Sequence, residues 1–284
     1  MAVYKQSYRR YTGALTPGWR RPLVLARSAL RNIFQSKTLL VFYIVCFIFP
    51  LVDIAAVYVA NNPSLALLFG SSSLLNINRD FFFFFLRFQA DAAFLFTAFA
   101  APGLVAPDLA NGGLTLYLAR PLRRWEYLTG KLLVLWILLS SLTWVPGLLV
   151  FGLASELGGA GWRAQNLWIG PSLFLAAWIF IVVLSLLELA VSAWVKWRVV
   201  AGAALLAIYF FGAGFAQMVN FILKTDNGSL LDIMLVHRLV WADLFRQAPP
   251  ALGLEDAAWL VLILIAAGSL ALVLRRIRPV EVVR

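Results

Sequence analysis

The sequence predicts an all-α polytopic membrane protein, with six transmembrane helices, an amino-terminal amphipathic interfacial helix, and a short cytoplasmic helix between the second and third spans. Three observations predict it. Apolar residues make up 62% of the 284 and charged residues 13%, against roughly half and a quarter in soluble domains. Six apolar runs are long enough to cross a hydrocarbon core of about 30 Å, which takes about 20 helical residues. The basic residues fall between those runs and not on one soluble face, so the net charge of +11 reads as a topology signal and not as affinity for nucleic acid.

Residues 1–38 form a basic cytoplasmic segment. The apolar run after them lacks a small-residue cleavage site, unlike a secretory signal, so the segment is expected to be retained. Within it, Pro22 is placed to start a helix, with Leu23, Ala26, Leu30, Ile33 and Phe34 on one side at helical spacing and Arg27, Arg31 and Lys37 on the other. Such a helix suits the anionic headgroup layer, its apolar side in contact with membrane lipids. The spans are expected at 39–60, 86–106, 131–153, 172–194, 199–222 and 257–274, together one membrane domain over 39–274. The run "RDFFFFFLRFQAD" either extends the second span or lies along the interface. Residues 107–130 form an inner connection, 223–256 an outer one, and 275–284 a basic tail. In the outer segment, Leu230, Met234, Leu235 and Leu239 recur with polar residues between them, which predicts a short amphipathic helix on the outer surface that either caps the bundle or lines or closes an outward exit.

Orientation follows from Lys and Arg. With the amino terminus inside, Arg79, Arg87, Arg163, Lys224, Arg238 and Arg246 are left on the outer side and its edges, and the other 18 of 24 lie inside. The positive-inside rule then puts both termini in the cytoplasm.

Signatures of catalysis mostly fail. His237 is the one histidine, so a multi-histidine metal centre cannot be built within one chain, and it reads as an interfacial packing residue. Cys46 has no partner cysteine and reads as a small buried residue. The Gly130-Lys131 pair is not a P-loop, because Trp125 stands where the first glycine should be and Leu132 where Ser or Thr should follow. No nucleophile elbow accompanies a serine. The chain is therefore read as a non-enzyme that binds no cofactor itself.

What remains are ionisable groups within spans. Arg87 and Asp91 stand i,i+4 and are expected to pair on one helix face. Asp53 and Glu188 have no local partner. Each belongs either to a polar conduit or subunit seam, or to a hydrogen-bonded structural role.

The densest polar stretch is the connection "APGLVAPDLANGGLTLYLARPLRRWEYLTGKLL", Ala101 to Leu133. Pro107 and the Asn111-Gly112-Gly113 turn end the preceding span, and Asp108 sits where the chain leaves the membrane. An apolar patch at Leu116, Tyr117 and Leu118 follows, Arg120-Pro121 breaks it, and "LRRWEYLTGK" runs into the third span. Apolar knobs beside cations suit a docking surface.

This stretch resembles the ABC-2 family of transporter permeases. The match is carried by Asp108, Gly112, Gly113, Leu114, Leu118, Arg120, Pro121, Arg124, Glu126, Tyr127, Gly130 and Lys131. The rest of the chain matches in layout alone. It departs from the family in having Asp108 where Glu is frequent and Arg123 where a small Ser is usual. The resemblance implies a homodimer in a cytoplasmic (inner) membrane, paired with two separately encoded ATPase subunits that hold ATP and Mg and drive export or reorientation of lipids, polysaccharides, drugs or other amphiphiles. In that setting Asp108, Leu118, Arg120, Pro121, Arg123, Arg124, Trp125, Glu126 and Lys131 are the expected coupling residues. Leu116, Tyr117, Leu118 and Trp125 would anchor, Arg123, Arg124 and Glu126 would set register, and Gly130 and Lys131 would pass movement to the third span. The alternative is a non-transporting membrane anchor or scaffold. A passive channel has less support, since neither charged rings nor an inverted repeat is visible.

Overall fold

The computed structural model describes residues 17–62, 64, 76–110, 123–247 and 253–277. Among them every regular element is a helix. Six helical segments are long and apolar enough to cross a membrane: Lys37–Ala60, Arg79–Asp108, Arg124–Leu157, Ile169–Trp194, Arg198–Leu223 and Glu255–Arg276. This is the layout of a multi-pass membrane protein.

Four spans match the expected limits to within a turn, while the second and third begin seven residues earlier, at Arg79 rather than 86 and at Arg124 rather than 131. Local capping explains both. The Asn78 side chain accepts from the Asp80 and Phe81 amides at 2.9 and 3.2 Å, and Asp80 in the first turn suits the helix dipole. The phenylalanine run therefore extends the span. At the third span, Glu126 Oε2 accepts the Arg123 amide at 2.7 Å. That is the glutamate half of a capping box; arginine has no acceptor for the other half.

Prolines break the first three spans. Pro50 lacks an N–H and crowds the Cys46 carbonyl one turn earlier, and the first span breaks between Val45 and Ile48. Fully buried Gln89 donates to that Cys46 carbonyl at 3.0 Å. Pro102 breaks the second span at Ala101 and leaves the Ala98 carbonyl without its helical donor. Gly202 of the fifth span lies so close to this carbonyl that a Cβ there would meet it at 3.1 Å. Thr143 ends the first half of the third span, four residues after Leu139 and three before Pro146, and its hydroxyl donates to the Leu139 carbonyl at 2.7 Å.

The fourth span is the hub, packed against the second, third and sixth. Leu173, Ala177, Phe180, Ile181 and Leu189 are fully buried on it. The fifth turns Phe210, Phe211, Phe215 and Phe221 outward, an apolar face that lipid or another chain must cover.

The amphipathic helix spans Arg21–Gln35 and packs along the start of the third span. Ala26 and Ile33 are buried, Leu30 and Phe34 are half-buried, and Arg27 and Arg31 are exposed, as their spacing predicts; Leu23 is exposed. Gly130 makes the packing possible, because a Cβ there would stand 3.0 Å from Leu25 Cβ and 3.2 Å from the Pro22 carbonyl.

The outer connection does contain a helix, Ile233–Leu244, but it is not a surface helix. Met234, Val236, His237, Leu239, Val240 and Trp241 are all buried. The Trp241 indole donates to the Ala176 carbonyl of the fourth span at 3.0 Å, and Phe180 meets the His237 ring edge-on at 5.4 Å. The helix is a wedge set among the spans. Several of its polar groups find partners within the segment, which weakens the reason to face water: Asp232 caps the helix through the Met234 and Leu235 amides and stands 3.7 Å from Arg238.

Candidate functional site

The expected coupling stretch is described at its two roots, while Leu118, Arg120 and Pro121, with Gly112, Gly113, Leu114, Leu116 and Tyr117, lie outside the described residues. The roots meet. Lys131 Nζ is 2.8 Å from Asp108 Oδ2, and the Tyr127 hydroxyl donates to the same oxygen at 2.8 Å. Tyr127 and Lys131 stand i,i+4 on one helix face, both buried, with the ammonium 5.3 Å from the tyrosine ring centre. Their burial strengthens the pairing with Asp108 beyond that of a solvated surface pair.

The neighbouring charges divide between inward and outward roles. Arg124 Nε and Nη2 donate to the Ile277 and Leu274 carbonyls at 2.7 and 2.8 Å, filling acceptors at the end of the sixth span. Glu126 Oε1 lies 3.6 Å from Arg21 at the head of the amphipathic helix. Arg124 and Glu126 thus bond within the chain, whereas Arg123 and Trp125 point outward, the indole 58% exposed. The sequence gives no signal for the partners of Arg124, which lie about 150 residues away.

A second polar set lies inside the bundle. Glu188 is fully buried and its Oε1 is hydrogen-bonded to Thr97 of the second span, while Oε2 has no partner among the described residues. Thr97 Oγ1 also stands 2.9 Å from the Ala93 carbonyl. Its single hydroxyl proton cannot serve both. Ser185 and Ser192 lie on the same stripe of the fourth span. Ser185 accepts from the Trp136 indole at 3.1 Å, and Ser192 accepts at 3.1 Å from the Ala106 amide in the half-span after the Pro102 break. The stripe ties the fourth span to both neighbours. Asp53 is also buried, with Oδ2 unpartnered among the described residues.

Arg87 and Asp91 do not form the expected pair. Among the described residues no ion pair joins them, Arg87 is exposed, and Asp91 Oδ1 accepts from Tyr209 of the fifth span at 3.1 Å. Tyr209, Asp232 and Arg238 were not foreseen as site residues; Asp232 ahead of an apolar run is the one cue, a helix N-cap signal.

His237 is a packing residue, buried and not interfacial. Its Nδ1–H donates to the Ile233 carbonyl at 2.7 Å, which leaves Nε2 without a partner among the described residues. Burial lowers its pKa to about 4, only partly opposed by that hydrogen bond.

Comparison with protein-family models finds no family that matches the chain, and comparison with curated proteins finds no match.

Proposed function

We propose that this chain is the transmembrane permease subunit of an ABC-2-type transporter, a homodimer in a cytoplasmic membrane with both termini cytoplasmic. It moves an amphiphilic or other substrate across that membrane, using ATP and Mg on separate ATPase subunits. One observation carries the reading: Asp108, Tyr127 and Lys131, three positions of the motif that resembles this family, converge on a single oxygen at the root of the connection between the second and third spans.

The geometry suits a lever. A force applied to the connection reaches the second span through Asp108 and the third through Lys131. It reaches the amphipathic helix through Glu126 and Gly130, and the sixth span through Arg124. Outward-facing Trp125 and Arg123 supply an apolar anchor and a cation on the free side, the combination found at interface hot spots. Closure of two ATPases would then bias the bundle between two packings, and the proline breaks in the first three spans are where such a bundle bends.

Co-purification with an ATPase encoded beside this chain tests the reading. Leu118→Ala with Trp125→Ala keeps every charge, so a membrane anchor tolerates it. A lever inserts normally but loses the ATPase and transport together, because a buried hot spot contributes about 2 kcal/mol or more. If the double variant keeps both at parental levels, the chain is an anchor or scaffold.

A further inference from the structure

The amphipathic helix does not seal the end of the bundle. Beneath it lies a recess of about 270 Å³ reached by Ser28, Asn32 and Ser36 from above and by Gly103, Lys131 and Arg198 from below. Ser28, Asn32 and Ser36 are spaced four apart, so one face of the helix presents uncharged hydrogen-bonding groups to it. A second groove of about 440 Å³ adjoins the recess and shares Ser36, Leu39 and Arg198 with it. This one is apolar, lined by Phe99, Pro102, Val199, Gly202, Ala203 and Leu206.

Arg198 stands where the two compartments meet. Its guanidinium lies against Gly103, with Cζ 3.4 Å from where a Cβ would be, so the missing side chain makes its seat. Nη2 makes one long contact, 3.5 Å to the Phe99 carbonyl, and among the described residues no carboxylate pairs with it. Lys131, the other cation in the recess, is neutralised by Asp108. Arg198 is thus the free positive charge here.

Depth settles the polarity. Arg198 begins the fifth span, at headgroup level, and the groove runs from it to Leu206, about 12 Å into the apolar zone at helical rise. A cation with hydroxyls and an amide at the headgroup level, continued by an apolar trough along the chains, has the shape and charge of one anionic lipid. Arginine supplies planar paired donors for a phosphodiester.

From these two joined compartments we infer a binding site for an anionic phospholipid, with its phosphate on Arg198 and Ser36 and one acyl chain along Phe99, Ala203 and Leu206. The inference goes beyond the transporter reading and needs no ATPase. A lipid seated there joins the amphipathic helix, the broken end of the second span and the start of the fifth.

Native mass spectrometry of the full chain in detergent tests it, with phosphatidylglycerol and phosphatidylethanolamine titrated separately. The parent is expected to hold phosphatidylglycerol about tenfold more tightly, because both lipids offer the phosphodiester but the ammonium of phosphatidylethanolamine cancels its net charge and is repelled by Arg198. Arg198→Gln, checked for parental elution and helicity, is expected to abolish the preference, and Arg198→Lys to retain part of it. Ala203→Trp, on an exposed position of the groove, is expected to weaken the lipid while leaving any binding of glycerol 1-phosphate unchanged. Equal binding of the two lipids by the parent, or a preference that survives Arg198→Gln, overturns the site. Glycerol 1-phosphate competing as well as the lipid overturns the acyl-chain half and makes this a site for free phosphate esters.

Discussion

Lys131 Nζ and Asp108 Oδ2 lie 2.8 Å apart, so the start of the third span is fastened to the end of the second at the root of the connection between them. Asp108→Asn leaves a buried ammonium with a neutral partner and is expected to destabilise by about 1–3 kcal/mol. Tyr127→Phe removes a weaker bond to the same oxygen and should cost about 1 kcal/mol. Thermal unfolding in detergent, arranged as a double-variant cycle, measures the coupling. Additive losses from Asp108→Asn and Lys131→Met would show that the contact stores no energy.

Thr97 and Glu188 give an asymmetric test. Thr97→Val leaves the Glu188 carboxyl in the core without its one partner among the described residues, at an expected cost of about 1–3 kcal/mol, whereas Thr97→Val with Glu188→Leu replaces both groups by apolar ones and should recover most of the loss. Glu188→Gln keeps a donor and an acceptor beside Thr97 and is expected to preserve assembly. If the double variant is as unstable as Thr97→Val alone, Glu188 has a role beyond this contact.

Gly130→Val drives a branched side chain into Leu25 and the Pro22 carbonyl. Overpacking of about 1–3 kcal/mol should loosen the amphipathic helix without unfolding the bundle. Trypsin cleavage after exposed Arg27 and Arg31 reports the loosening, with a rise of about tenfold expected for 1.4 kcal/mol. An unchanged cleavage rate would mean that the helix is held elsewhere.

Acid should weaken the wedge helix through His237. Its folded pKa of about 4 lies below the ordinary value of 6.5. The unfolded chain therefore binds the proton first, and the stability due to neutral His237 is full above about 6.5 and falls as pH drops toward 4. His237→Phe should flatten unfolding temperature across that window. Equal acid sensitivity in both proteins would assign the effect to carboxylates.

The proposed orientation predicts which side Arg123 faces. With Cys46→Ser as background, a cysteine at Arg123 should react with an impermeant maleimide in inverted vesicles and stay unmodified in intact cells. Efficient labelling of intact cells reverses the topology.

The six spans were legible because about 20 consecutive apolar residues leave a chain few alternatives to a buried helix. Their ends were less so. The run from Phe81 to Phe85 has no polar residue to mark a face, and its start is set by Asn78, a cap signal that hydropathy does not weigh. "RRWEYLTGK" is too polar for hydropathy to count as span, yet the third helix begins at Arg124, and Tyr127 and Lys131 on it both meet Asp108 across the connection. The wedge was misplaced for a related reason: Asp232, His237 and Arg238 count as polar in a sequence, but each finds a partner on the wedge itself. Polarity in a chain signals a need for partners, and water is one source among several.

The wedge also constrains the order in which the protein is made. Its twelve residues rise about 18 Å, too short to be handed to the bilayer as a span. Trp241 docks on the fourth span, and Val236, Leu239 and Val240 pack into a cluster with Ala258 and Leu262 of the sixth. That pocket has no second wall until the last span has been synthesised. Docking of this segment can begin on the fourth span but is complete only once the sixth is in place. A truncation before residue 255 strands the wedge with half of its seat.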